Sequence, residues 1–291
     1  MATYDYTIIK NEVTIDKYND KIPGTDLVIP DTLEGKPVTK IGVTAFYGCP
    51  FIRSVSFPAT LTHIGDRAFA GCSLLQTVTL PAALVALGDY CFWDCFNLLS
   101  ITIPASVNTL GQLAFYGCYA LTTATLGSGI RAVKEKAFGN CTALTTVTLN
   151  QGLTAIRREA FSECKVLTAI TIPDSVTTIG QSAFAGCETL TTVNIPAGVS
   201  SILDGAFERC PNLTAITVDA ANTAYSSLDG VLFNKAQTKL LQYPTGKNGA
   251  YIVPNTVTAF DDDAFTGCES LPHITVGGAV INRRTLSGWC K

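Results

Sequence analysis

Residues 167–187 read LTAITIPDSVTTIGQSAFAGC, and this one stretch decides the architecture. Its first part, Leu167-x-x-Ile170-x-Ile172, alternates apolar and polar residues, the period of a short strand with one buried face. Pro173 ends it, because proline cannot donate to a strand ladder. Val176-x-x-Ile179 is a second short extended piece that stops at Gly180. Ala183-Phe184-x-x-Cys187 suits a tight helical turn. Working outward from Phe184, the chain carries Phe at 46, 69, 92, 115, 138, 161, 184 and 207, each 23 residues after the last. Cys follows every one of them by three, from Cys49 to Cys210, and a ninth pair, Phe265 and Cys268, comes 58 residues later. A unit of this size leaves its apolar side open, and only stacking on its neighbours buries Leu, Val or Ile, Phe and Cys as columns of one core. The chain is therefore a β-rich repeat solenoid of α/β type, one domain over residues 1–291.

Departures from the repeat place the ends and an insertion. Residues 1–26 hold two alternations, Tyr4 to Ile9 and Val13 to Tyr18, separated by Lys10-Asn11-Glu12, which predicts a hairpin cap. Repeats then run over 27–218. The first of them has five extra residues around Leu33-Glu34-Gly35-Lys36-Pro37, expected as a loop near the cap. Residues 219–253 are an insertion. It contains Asp229-Gly230 between apolar residues, a strong hairpin signal, and is expected to continue the stack. The last repeat covers 254–276, and 277–291 is expected to form a C-terminal cap with Trp289 packed down.

The unit pattern, L-x-x-[VI]-x-[ILV]-P-x-x-[VIL]-x-x-[IVL]-G-x-x-[AC]-F-x-x-C, resembles the BspA-like class of leucine-rich repeat over residues 27–276. The resemblance implies a curved right-handed leucine-rich-repeat solenoid, with a parallel sheet on one face and short turns or helical turns on the other. It also implies a cell-surface or secreted protein that works in adhesion and protein–protein contact, binding a host or cell-surface protein. The N-terminus, MATYDYTIIKNEVTIDKYND, has neither a basic segment nor an unbroken apolar run, so no signal peptide is visible and a cytoplasmic scaffold is the alternative.

Composition narrows the function classes. Charged residues make up 15% of the 291, against a usual ~25%, which fits repeating core columns and excludes intrinsic disorder. A net charge of −3 gives no footprint for nucleic acid. No apolar run reaches the ~18–20 residues of a membrane helix, so membrane insertion is not expected. Eleven Cys suggest thiol or metal chemistry until their spacing is read. Nine belong to a single column, Cys91 stands where other units carry Ala, and none forms a C-x-x-C pair at zinc spacing. Free buried thiols are the expectation. His63 and His273 lie 210 residues apart with no partner in register. Asp261-Asp262-Asp263 lacks the spaced ligands of a calcium loop. No catalytic residue, cofactor or metal is expected.

What remains is surface, and two candidates stand out. The outward strand positions form a hydroxyl-lined face, with Thr77, Thr79, Thr123, Thr125, Thr146 and Thr148 at its centre. This is the alternative ligand face, for a glycan or ice, although Thr is also favoured on any pleated surface. The second candidate is aromatic. The residues after the repeat Phe and Cys are aromatic only in the early units, giving Tyr47, Trp93, Phe96, Tyr116 and Tyr119, with Phe51 one position further on. Stacking demands are equal in every unit, so a local aromatic excess points to a partner-binding patch.

Overall fold

The computed structural model describes residues 3–20, 24–268 and 270–282. The chain winds as a parallel-strand solenoid of about 11 turns, and each regular coil has three sides. The first side is a short strand such as Ser100–Thr102, Thr123–Thr125 or Thr146–Thr148, paired in parallel and in register, Thr123 to Thr146 and Thr125 to Thr148. Alternation turns Ile101 and Ala124 into the core and the threonines outward. After the proline the chain turns, as in Leu84 N–H to the Pro81 carbonyl at 3.1 Å. The second side is a two-residue strand, His63–Ile64, Ala86–Leu87 or Thr109–Leu110, again parallel, with Ile64, Leu87 and Leu110 inward.

The third side corrects the expectation of a helical turn: no helix occurs among the described residues. Around Phe69, the N–H groups of Ala68, Ala70 and Cys72 bond back three residues within their own turn, to Gly65, Arg67 and Phe69. The alternate N–H groups, of Arg67, Phe69 and Gly71, donate instead to Asp89, Cys91 and Trp93 of the next coil, at 2.7–2.8 Å. A helix would send every N–H to its own i−4 carbonyl. Here half point along the solenoid axis, and left-handed backbone at Arg67 (φ 51°) and Gly71 (φ 73°) turns them there. The turns are thus stitched coil to coil like a third sheet.

Inside, the repeat phenylalanines form one column. From Phe69 to Phe207 consecutive rings are 5.3–5.6 Å apart and within 9° of parallel. All ten described cysteines are buried. The first ring is covered by the N-terminal hairpin, Tyr4–Ile9 against Glu12–Tyr18, whose Tyr18 stacks on Phe46 at 5.2 Å. Lys10 and Asn11 (φ 51° and 68°) make its turn, and Glu12–Tyr18 continues in parallel onto Lys36–Ile41. The five extra residues of the first repeat are not an open loop. Thr32–Leu33 pairs back on Lys36 and Pro37 through left-handed Glu34 and Gly35.

The 219–253 segment holds Tyr225–Leu228 and Val231–Asn234, antiparallel about Asp229-Gly230, with Lys239–Gln242 paired on Val231–Asn234. Lys239–Gln242 then pairs in parallel with Ala259–Phe260. After His273–Val276 the chain folds back through Gly277 and Gly278 as Ala279–Asn282. Trp289 and Cys290 lie outside the described residues.

Candidate functional site

The sequence-predicted aromatics fall into three groups once their neighbours are seen. Phe51 belongs to the cap: it is partly buried against the core and 6.4 Å from the Tyr18 ring. Trp93 and Tyr116 are half-buried. Trp93 meets Tyr90 edge-on at 6.3 Å, and the Arg67 guanidinium lies 4.7 Å from the centre of that Tyr90 ring. Tyr116 leans over the next coil, where a Cβ on Gly139 would stand 3.0 Å from its Cδ2. Tyr47 is 54% exposed and makes no ring contact among the described residues.

Phe96 and Tyr119 are different. They follow successive repeat cysteines by one position and stack face to face at 5.2 Å, 4° from parallel, while remaining 38% and 44% exposed. Their coils are locked together beneath them, Ala120 N–H donating to the Phe96 carbonyl at 3.0 Å. Leu74 and Leu99, 48% and 47% exposed, stand two and four positions after their own repeat cysteines, on the same turn-to-strand corner of the solenoid. The aromatic search missed both leucines, although the same column counting would have found them. Nearby Asp94 covers Gly117, whose Cβ would meet the carboxylate oxygen at 2.2 Å, and burial raises the Asp94 carboxyl above its ordinary value. The corner is therefore rigid, apolar and weakly charged.

The threonine face is regular but shorter than the chain. Thr77, Thr79, Thr123, Thr125, Thr146 and Thr148 are all exposed. Their register continues from Ser54 and Ser56. Strand pairing lapses between Thr77–Thr79 and Ser100–Thr102 and again after Thr146–Thr148, and resumes at Thr192–Ile195 with Ala215–Val218. A parallel row behind it, Thr122, Thr145 and Thr214, is already engaged: each donates its hydroxyl to the preceding coil, at 3.0–3.2 Å.

Other chemistry-bearing residues have structural work. His63 Nδ1 is 2.8 Å from its neighbour Thr62 Oγ1. Asp261 pairs with Lys239 at 2.9 Å. Among the described residues no three His, Cys, Asp or Glu side chains gather as a metal site, and no helix is long and apolar enough to cross a membrane.

Comparison with known proteins gives the chain its relatives. A family model described as BspA type leucine rich repeat region matches residues 39–167, 112–239 and 243–285, in six copies. A leucine-rich cell surface protein from Faecalibacterium prausnitzii is 31% identical over 95% of this chain and 70% of its own, with a TM-score of 0.70. The T. pallidum leucine-rich repeat protein is 30% identical over 64% of this chain and 87% of its own, with a TM-score of 0.59. A leucine-rich repeat protein from Bacteroides ovatus shares the fold at 22% identity, over 94% of this chain and 86% of its own, with a TM-score of 0.57. No curated protein matches the chain.

Proposed function

Because the chain belongs to the BspA-type leucine-rich-repeat family, we propose that it is a non-catalytic binding or adhesion module of the cell surface, holding a protein partner at the Phe96–Tyr119 corner. The observation that carries this reading is the exposed aromatic stack on a hydrogen-bonded corner. Two flat rings held parallel cost little entropy to bury, and aromatic anchors of this kind dominate interface energetics. The two exposed leucines extend the apolar area around them. A surface location is supported by the F. prausnitzii relative, itself described as a cell surface protein.

Phe96→Ala with Tyr119→Ala is expected to weaken partner binding by about 2 kcal/mol or more, leaving the melting temperature within a few degrees of the parent. Captured host-matrix or cell-surface proteins, titrated against parent and variant, provide the measurement. Unchanged affinity with a collapsed melting temperature would make the pair structural and sink the proposal. The in-register hydroxyls of Thr123, Thr125, Thr146 and Thr148 support a second reading, a glycan or ice surface. A glycan array and a thermal-hysteresis assay test it, and silence in both removes it.

A further inference from the structure

Four positions before the repeat Phe, five coils carry glycine: Gly42, Gly65, Gly88, Gly111 and Gly180. The cause is close contact between coils. A Cβ on Gly111 would lie 2.2 Å from the Gly88 carbonyl oxygen, and one on Gly180 would lie 2.5 Å from the Arg157 carbonyl carbon. Two successive coils nevertheless place long cations here, Lys134 and Arg157. At Lys134 the stack loses a rung. Gly65, Gly88, Gly111, Arg157, Gly180 and Leu203 each donate their N–H to the preceding coil at 2.7–2.9 Å, whereas Lys134 makes no such bond. The strand Ala132–Val133 is correspondingly unpaired with Thr109–Leu110, and the sheet of the second side breaks there. Close packing favours glycine, but Arg157 and Leu203 keep the rung without it, so the loss is confined to the Lys134 step. A local rule broken at a measurable cost in hydrogen bonding marks a position retained for something else.

Both cations are exposed and neither joins an ion pair among the described residues. Their neighbours Lys136 and Arg158 share the one carboxylate of Glu159, at 3.2 and 2.9 Å. Lys134, Arg157 and Arg158 line an open groove of about 420 Å³ that contains one carboxylate, Glu135. The rest of its lining is the hydroxyl of Thr178, the amides of Gln112 and Gln181, the exposed side chain of Leu203 and the bare backbone of Gly180. Neighbouring strands lie about 4.8 Å apart, so cations on adjacent coils can close on a single anionic group. An extended peptide adding itself as a strand would need a run of unpaired backbone, but the N–H groups of Arg157, Gly180 and Leu203 are already used within the stack and only that of Lys134 is left over. Recognition falls to cations, amides and a hydroxyl, a set that suits a polyhydroxylated anion.

We propose that this groove is a second binding site, for an acidic saccharide whose sulfate or carboxylate group sits between Lys134 and Arg157 while Gln112, Gln181 and Thr178 address its hydroxyls. The test is titration of the whole chain at low ionic strength with three probes: a heparin-type sulfated tetrasaccharide, an unsulfated oligogalacturonate and poly-glutamate. The proposal expects one or both saccharides to bind, and the pair identifies sulfate or carboxylate as the anchoring group. Lys134→Gly with Arg157→Gly should weaken that binding about tenfold or more and flatten its salt dependence. The same variant should hold or raise the melting temperature, since glycine is what the other coils use. Lys134→Gln with Arg157→Gln carries the comparison if the glycine pair folds poorly, and Phe96→Ala with Tyr119→Ala should leave saccharide binding untouched. Failure of both saccharides to bind the parent, equal binding by parent and variants, or poly-glutamate binding as tight as either saccharide would overturn it.

Discussion

The repeat cysteine serves the stack through a property that alanine lacks and serine would exaggerate. Each Sγ from Cys72 to Cys210 reaches back to the carbonyl of the Phe one coil earlier, at 3.2–3.4 Å. Most of those carbonyls already accept the Cys N–H of their own turn, as Phe46 does from Cys49 at 3.2 Å. The thiol is thus a small apolar filler with one weak donor, placed where a spare lone pair needs company. Burial holds these thiols protonated. It pushes Cys210 up to about 12 and raises Cys141 and Cys187 well above their ordinary range. The linkage sign follows. Below about pH 8.5 the thiol is neutral folded and unfolded, and its contribution is intact. Above that, only the unfolded chain ionises, so stability falls by about 1.4 kcal/mol per pH unit for each thiol until the folded group also titrates. Urea unfolding at pH 7, 9 and 10 should show a flat and then steeply falling stability, with Cys72 to Cys210 of the native protein inert to thiol reagents at pH 8. A stability that stays level to pH 10, or rapid labelling of those cysteines in the folded chain, read by peptide mapping, would show the column to be open to water.

The glycine before each turn limits how closely coils can approach. Gly111→Ala would drive its Cβ into backbone atoms of Gly88. Neither side can retreat without breaking the Gly111 N–H bond to Leu87 at 2.9 Å. We expect a loss of about 1–3 kcal/mol by urea denaturation. Lys134→Ala, at the equivalent position of a coil already parted from its neighbour, should fall within about 0.5 kcal/mol of the parent. Equal effects would mean the two steps are alike. The same turn shows where sequence reading succeeds and where it stops. Columns of Phe, Cys, Leu and Gly were legible because identical packing demands recur every 23 residues. The turn's conformation was not, since Ala-Phe-x-x-Cys has the i, i+3 spacing that a helical turn and this alternating turn share. A clue existed in Gly48, Gly71, Gly117, Gly186 and Gly267, each two after its Phe and each left-handed. At the other left-handed position Thr44, Arg67, Tyr90, Leu113 and Lys136 carry no common signal. The aromatic columns were likewise legible, but exposure was not. Phe51 turns to the cap and Phe96 to solvent because of what lies beside them, which spacing does not encode.

The stitching between coils is continuous for seven steps and then stops. In every coil from Phe46 to Phe184 three turn N–H groups donate to the next coil, but none leaves Gly205, Phe207 or Arg209. The inserted coil supplies Tyr243 in place of a repeat Phe, and Tyr243 bonds onward to Ala264 at 2.7 Å, not back to the Phe207 turn. Its ring packs on Phe265 at 5.8 Å and 34°, off the parallel geometry of the earlier column. The buried core divides at the same place. One cluster runs from Val13 to Leu232, and a second gathers Val231, Phe233, Leu240, Tyr243, Phe265 and Ile274. Fewer links hold the join, among them Gly246 N–H to Leu213 and Ile216 N–H to Gly230, both at 2.8 Å. In a solenoid, stability is a sum over units and interfaces, so the weakest interface is where cooperativity first fails. Native-state hydrogen exchange in rising denaturant should therefore resolve two groups of amides. Those of residues 231–276 should merge into a shared opening at lower free energy than those of the Phe69 to Phe184 coils. Restoring a regular unit, by deleting residues 219–253 so that the last repeat Phe follows Phe207 by 23 residues, should bring the two isotherms together. A single isotherm for every protected amide in the parent would mean that the break in the ladder is compensated elsewhere and that the solenoid opens as one unit.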